Sequence, residues 1–557
     1  MRSQPRLDLL PLGLLGLLAL LPPETRGHAA WAHGLLALLF VAIVVARGLK
    51  PSGSALALVL VAALGVGPWR ALAVAPGSVI EPWALWLVAL ILGVGARGLP
   101  EQLRRGPWLP WTLAGLGGTL GLYAVYQQVY GLDALAERLR QGMMGAATQD
   151  WLVRAEGGRA FAVFSTPAAL GGYLILTLPV TAVLIHGQRG RGRALAVGTF
   201  VLQMFGLASA VSATATAALL AAMLVAGLSL RSARRGWIAA VCALLILLAG
   251  VAAFRASEVW DFDNPGNPWV LRAQNLRLAA EMTADHPWTG VGPGGFAESY
   301  PRYRKVGDNE TRYAHNLVMQ NAAEFGVPMG LGLSGFFVWC FVGPWWRRAA
   351  DSPLWWRGVA LGLLAFAVHN LADFTAYLPS IVFTAAILRG WISSTGPAAA
   401  PETGVGARLL LGTIATIALV VFVMGHKSDA LQQDLRWTAD PSAAQRRGEL
   451  AKQARRWAPW SANGYLGVAR ARLETIVPGP DAAGQLRQVQ DDLDKAVSAS
   501  PVRPSTRRLR AEVRFTRGDR PGALADALES QRLYPTSPEY ASFVDEMGSR
   551  RIHGVEP

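Results

Sequence analysis

Cysteine is nearly absent: only Cys242 and Cys340 occur in 557 residues. Two isolated thiols support neither a disulfide framework nor a thiolate metal site. Both lie inside apolar runs, where the expectation is a small buried hydrophobe. Charge is scarce as well. Only 16% of residues are charged, 52% are hydrophobic and mean hydropathy is +0.30, which excludes an ordinary soluble chain. Acids are the rarer sign, 37 against 52 Lys and Arg, so the net charge is +15. Such a balance suits nucleic-acid binding, or the cytoplasmic-loop cation excess that orients membrane proteins. The basic residues sit mainly in short loops and form no soluble basic domain. The membrane reading therefore holds, and no nucleic-acid partner is expected.

What the chain has in quantity is apolar runs of spanning length. They fall near 9–22, 29–46, 54–75, 82–96, 108–130, 165–185, 194–211, 213–230, 237–254, 316–343, 354–372, 374–392 and 408–425. The expectation is an all-α polytopic helical membrane protein of about twelve to thirteen spans. The run Leu9 to Leu21 has a weak basic start and no clear small-x-small cleavage site, so it reads as a short first span rather than a leader. Trp31, Trp83, Trp86, Trp108, Trp111, Trp237, Trp345, Trp346, Trp355 and Trp356 sit near span ends, as interfacial belts require.

Loop charge sets orientation. Arg2 and Arg6, Arg47 and Lys50, Arg97 with Arg104 and Arg105, Arg189 to Arg193, Arg231 to Arg235, Arg347 to Arg357, and Arg389 with Arg408 fall in alternate loops. The positive-inside rule puts these in the cytoplasm. The other face then carries Gly131 to Gly158, the large polar loop 255–315, the turn from His369 to Tyr377 and the C-terminal tail. In a bacterial inner membrane that face is periplasmic. The organisation is 1–158 as N-terminal spans, 159–392 as the core containing loop 255–315, 393–425 as the last span and 426–557 as a polar tail. The tail is Arg-rich and helix-favouring. Pro501 and Pro535 stand 34 residues apart, the tetratricopeptide period. Residues 511–527 read as two helices around a Gly-Asp turn. Two or three degenerate TPR-like hairpins are expected, and such repeats bind protein partners.

The loop carries the candidate chemistry. Arg272 lies in a short amphipathic helix over 270–282. A guanidinium there can grip phosphate bidentately, or snorkel as an interfacial cation. Arg159, Arg277, Arg302, Arg304 and Arg312 are further candidate phosphate contacts. Gly290-Val-Gly-Pro-Gly-Gly-Phe296 is a tight turn and lacks the Gly-Lys-Ser/Thr of a nucleotide loop. His315-Asn316 opens a span at its outer boundary. Neighbouring cations push such a histidine towards the neutral form, which suits a general base; a plain interfacial anchor remains open. Glu324 lies in the same span and needs a polar partner, so its role reads as structural or orienting. His369 and Asp373 share a helix face at i, i+4. They are too few for a metal site and read as a supporting polar cluster.

Together Arg272, Asp285-His-Pro-Trp-Thr-Gly-Val-Gly-Pro-Gly-Gly-Phe296, Ala314-His-Asn with Glu324-Phe-Gly-Val-Pro-Met-Gly330, and His369-Asn-Leu-Ala-Asp-Phe374 resemble the O-antigen ligase/polymerase superfamily, over residues 159–392. The resemblance implies an inverting, metal-independent glycosyltransferase with no cofactor. It takes a glycan from undecaprenyl diphosphate and passes it to a sugar or lipid acceptor at the periplasmic face. His315 matches the general base and Arg272 the diphosphate-binding arginine. A further arginine is implied near a mid-chain span end; Ala208-Ser-Ala-Val-Ser-Ala-Thr-Ala-Thr216 has none. The tail looks more like polymerase relatives, so polymerase stands ahead of ligase, with a protein oligosaccharyltransferase as a third acceptor variant. The rival class is a non-catalytic scaffold or transporter recruiting partners through the tail. A transporter should concentrate ionisable residues at mid-membrane, whereas the polar weight here lies in one loop and at span ends.

Overall fold

The computed structural model describes residues 53–97, 108–141, 148–227, 234–264, 266–346, 354–393, 405–437, 444–476 and 479–549. The expected spans 9–22 and 29–46 lie outside these residues. Among the described residues the chain is helical with no strand. In order, the membrane portion comprises α1 (Gly53–Leu64), α2 (Val66–Leu72), α3 (Ile80–Arg97), α4 (Trp108–Tyr126), α5 (Leu132–Arg140), α6 (Thr148–Glu156), α7 (Pro167–Gly187), α8 (Gly190–Ala210), α9 (Ala213–Gly227) and α10 (Arg234–Phe254). The loop holds α11 (Ala256–Val259), α12 (Pro268–Asp285) and α13 (Gly295–Tyr303). Then come α14 (Leu317–Phe341), α15 (Gly343–Trp346), α16 (Leu354–His369), α17 (Pro379–Trp391) and α18 (Val405–Trp437). Among the described residues, five helices are long and apolar enough to cross a membrane: α3, α7, α8, α14 and, over Leu409–Leu435, α18. Shorter apolar helices cover Ala57–Leu72, Ala213–Gly227, Ile238–Phe254 and Leu354–His369.

Close helix approach is what apolar solvent rewards, because lipid offers no hydrophobic gain for merely burying leucine. A Cβ on Gly121 of α4 would stand 2.2 Å from the Leu202 carbonyl oxygen of α8. Buried Gln203 then ties three helices. Its Nε2 donates to Thr181 Oγ1 at 2.8 Å and the Ala114 carbonyl at 3.3 Å, while Oε1 accepts from Thr177 Oγ1 at 3.1 Å. A fully bonded amide is the tolerable form of a polar group at this depth.

Several expectations need correction. The run 54–75 is two helices, α1 and α2, rather than one span. The run 316–343 is broken at Gly326, whose φ of 74° cannot continue a right-handed helix. Cys242 is exposed on α10 and Cys340 is half-buried, so neither is the buried hydrophobe expected. Trp345 is buried at 1% exposure and Trp356 at 8%, both packed in the core.

Beyond α18 the tail is a run of helices: α19 (Ala444–Trp457), α20 (Ala462–Leu473), α21 (Ala482–Ala499), α22 (Pro504–Thr516), α23 (Arg520–Leu533) and α24 (Pro538–Ser549). Each packs on its sequence neighbour. The expected Gly-Asp turn lies between α22 and α23. Gly518 takes φ 88°, and Asp519 caps the next helix by accepting from the Gly522 N–H at 3.0 Å. The array folds back on the α2–α3 connection and on the loop. The Gly77 N–H donates to the Ala499 carbonyl at 2.8 Å, and Arg304 donates to the Tyr534 hydroxyl.

Candidate active site

Three segments meet at the turn between α16 and α17, the turn being one of them. The first is α12. Asn267 caps it, accepting from the Trp269 N–H at 2.8 Å, and Pro268 occupies its first position. The buried face, Asn275, Leu278, Ala279 and Met282, recurs at helical spacing. Arg272 therefore falls near the start of the helix. Its Nε donates to the Ala372 carbonyl at 3.2 Å and its Nη1 to the Pro268 carbonyl at 3.1 Å.

The second is the start of α14. The Leu317 N–H donates to the Asn370 carbonyl at 2.9 Å, and Asn316 Nδ2 to the Leu371 carbonyl at 2.8 Å. Asn316 also caps α14, its Oδ1 accepting from the Met319 N–H at 3.0 Å. His315 sits just before these anchors at φ 55°. Its ring meets Phe374 edge-on at 4.9 Å, and its Nδ1 is buried with no hydrogen-bond partner. Burial holds the imidazole below its ordinary value; Arg272 adds to this and Asp373 opposes it.

The third is the turn itself. Asn370 Oδ1 accepts from the Ala376 N–H at 2.7 Å. Asp373 accepts from the Phe374 N–H at 2.8 Å and from Thr214 Oγ1 at 3.5 Å. Its Oδ2 lies 3.9 Å from His369 Nε2, both side chains being buried. His369 Nδ1 in turn meets Thr375 Oγ1 at 3.1 Å.

Two more guanidiniums approach from the far side. Gly158 lies against Phe254, which brings Arg159 beside Arg255. Burial pushes Arg159 down to about 10, with Arg255 and Arg272 contributing repulsion. Its Nε is buried without a partner. Arg255 donates from Nε and Nη2 to Glu258 at 2.9 and 2.7 Å. Partly desolvated like charges held this close are costly unless an anion completes them. Arg272 is likewise held below its ordinary value, first by burial; Asp373 counteracts this and Arg255 adds to it.

The remaining candidate arginines have other company. Arg277 is paired with Glu281 at 2.8 Å and with Asp308. Arg302 lies 4.0 Å from Asp285 and over the Tyr303 ring. Arg304 donates to the Asp308 carbonyl, to Glu310 at 3.1 Å and to Tyr534. Arg312 is exposed and acts electrostatically on Glu298. Arg277, Arg302 and Arg304 are thus held by partners in the loop and the tail. Arg255, the first residue of the loop 255–315, is a further arginine that the sequence does not single out as a phosphate contact.

Glu324 is buried and capped from three directions. Gln320 Nε2 donates to it at 2.9 Å, and the N–H groups of Gly294 and Phe296 donate as well. The carboxylate thus serves the first turn of α13, where anions are favoured. The glycine turn locks onto the same backbone. The Val291 and Gly292 N–H groups donate to the carbonyls of Ala323 and Glu324 at 2.8 and 2.9 Å. Among the described residues, no group of three His, Cys, Asp or Glu side chains is disposed to hold a metal.

Residues 198–334 match the family model described as O-Antigen ligase. The interval takes in Ala208–Thr216, Arg255, Arg272, the glycine turn, His315 and Glu324. It leaves out Arg159, His369, Asp373 and the tail. No curated protein matches the chain. Over that interval the chain is similar to the O-antigen ligase family, and its apolar helices make it a membrane protein.

Proposed function

We propose that this protein is an inner-membrane glycosyltransferase that transfers or polymerises undecaprenyl-diphosphate-linked glycan at the periplasmic face. The donor diphosphate meets Arg272, Arg159 and Arg255, whose fixed charge stabilises the pyrophosphate as it leaves. An acceptor hydroxyl gives its proton to His315 as its oxygen bonds to the anomeric carbon. The bond from that carbon to the diphosphate oxygen breaks, and undecaprenyl diphosphate departs with the electron pair. Three guanidiniums supply the positive charge that a metal ion supplies to other diphosphate chemistries, so no metal or cofactor is invoked.

The observation that carries this reading is the unpartnered, buried Nδ1 of His315, within electrostatic reach of both Arg272 and Asp373. Where the resemblance implies an additional arginine, the chain has Ser212 and Thr214. Thr214 reaches Asp373, while Arg159 and Arg255 fill the charge from neighbouring segments. The TPR-like tail belongs to the same proposal, as a module placed on the loop. Polymerase is favoured over ligase by that tail.

The test is transfer by purified protein in detergent, supplied with undecaprenyl-diphosphate-linked oligosaccharide, for wild type, His315→Ala and Arg272→Ala. A lengthening ladder that needs both residues supports polymerase. A single transfer to added lipid or protein supports ligase or oligosaccharyltransferase. Undiminished turnover in both variants would sink the mechanism. Glycan assembly that survives both substitutions but not removal of 426–557 would favour a scaffold.

A further inference from the structure

His315 lacks the orienting partner that a general-base histidine ordinarily has. Which ring nitrogen takes a proton is usually set by a bond at the other nitrogen, yet Nδ1 has none here. Asp373 acts on the ring only through its field, its oxygens facing the Phe374 N–H, Thr214 and His369. The backbone must therefore hold the imidazole in place. That backbone is itself in the left-handed region at φ 55°, which persists for a residue like histidine only when its surroundings over-determine it.

Two anchors follow His315, from Asn316 and Leu317 to the 370–371 carbonyls. One precedes it: the Ala314 N–H donates to Gln320 Oε1 at 2.6 Å. Gln320 is buried at 2% exposure, and its Nε2 donates to Glu324. Glu324 in turn accepts from the backbone that opens α13.

We propose that Gln320 is the positioning residue for His315: its amide joins the backbone before the imidazole to the Glu324 carboxylate, and so references the base to the loop helix α13. This rests on the reading of His315 as general base. Gln320 touches no substrate. One side chain meets both groups, the Ala314 N–H and the Glu324 carboxylate, because its amide accepts at one atom and donates at another at every pH.

The experiment compares wild type, Gln320→Leu, Gln320→Glu and His315→Ala as full chains in detergent, with undecaprenyl-diphosphate-linked oligosaccharide as donor. Three readouts are kcat and donor KM, hydrogen exchange over 311–319, and thermal midpoint. For Gln320→Leu, kcat falls roughly 10- to 100-fold, as misplacement by about 1 Å does. Donor KM stays within about twofold because the arginines are untouched, and the Ala314 amide exchanges faster. Relative to wild type at the same pH, Gln320→Glu recovers kcat towards acid pH, where one proton shared by the carboxyls at 320 and 324 restores a donor. It loses kcat towards neutral pH, where two carboxylates repel.

Unchanged kcat in Gln320→Leu overturns the proposal, as does recovery in Gln320→Glu that ignores pH. Unfolding of Gln320→Leu passes the test to Gln320→Glu at acid pH, and collapse of both assigns Gln320 to the fold alone. Full activity in His315→Ala defeats the catalytic reading instead. Amide exchange at Ala314 still reports whether Gln320 holds that backbone.

Discussion

Arg503 of the tail clamps Glu298 of the loop helix α13. Its guanidinium donates to both carboxylate oxygens, and Ser500 Oγ adds a bond at 2.6 Å. Both charged side chains are largely buried, at 17% and 16% exposure. The contact seats the tail directly against the loop helix.

The clamp should behave as a unit. Glu298→Ala and Arg503→Ala each leave a partly buried charge unpaired, a loss of about 1–3 kcal/mol. The double variant should lose little more than either single one. Thermal unfolding of the four proteins checks this; additive losses would show the contact to be idle.

The clamp is also acid-sensitive. Burial raises the Glu298 carboxyl, but Arg503, Ser500 and Arg312 outweigh it and hold the group below its ordinary 4.5. A depressed carboxylate contributes stability that is present above its unfolded value and lost as pH falls through the folded one. Tail docking, read by proteolysis of the array, should hold at neutral pH and weaken only below about pH 4.5. Arg503→Ala should abolish that dependence.

Activity should show an acid limb below pH 6.5, since burial and Arg272 hold His315 under its ordinary value. Asp373 opposes that shift, so Asp373→Asn should move the limb to still lower pH. A limb that moves upward, or stays put, would detach Asp373 from His315. Arg272→Lys should lower kcat about 10²–10³-fold, because a point charge cannot hold the Ala372 and Pro268 carbonyls while facing a diphosphate. Arg277→Ala should instead destabilise the loop by about 1–3 kcal/mol by removing the charged partner of the Asp308 carboxylate, which keeps only the Lys305 N–H, with donor KM unchanged.

Gly290→Ala should be severe. A Cβ there lies 2.3 Å from the Glu324 carbonyl carbon at φ 63°. Strain and overpacking together amount to about 2–4 kcal/mol. Gly307→Ala, at φ 89° with open space around it, should cost only the conformational part, about 1–2 kcal/mol. Thermal midpoints separate the two.

Much of this was legible in residues. Loop charge assigns the loop 255–315 and the turn 369–377 to a common face, and in the structure Arg272 of the one donates to the Ala372 carbonyl of the other. The i, i+4 spacing put His369 and Asp373 on one face, and the glycine-rich run announced a turn that side chains could not occupy. Partners were harder to see. Arg277 looks like any loop cation until Glu281, one turn on, is weighed as its counterion. Gln320 looks like an ordinary polar intrusion into a span, because what it bonds lies before it in the chain and inward of it in space. The break at Gly326 was hidden by an unbroken apolar run: hydropathy counts residues and is blind to the φ of 74° that splits them.

Helix α18 runs 33 residues without interruption from the membrane into the tail. At 1.5 Å per residue that is about 50 Å, against roughly 30 Å of hydrocarbon. It works as a mast whose upper third carries the array at a set height and bearing. Each residue inserted near its top would swing the array by about 100° and raise it by about 1.5 Å. The clamp on Glu298 has no slack for either. The last span and the tail are thus bound by helical phase as well as by contact, and a chimera that grafts another tail here must preserve the count of residues in the mast.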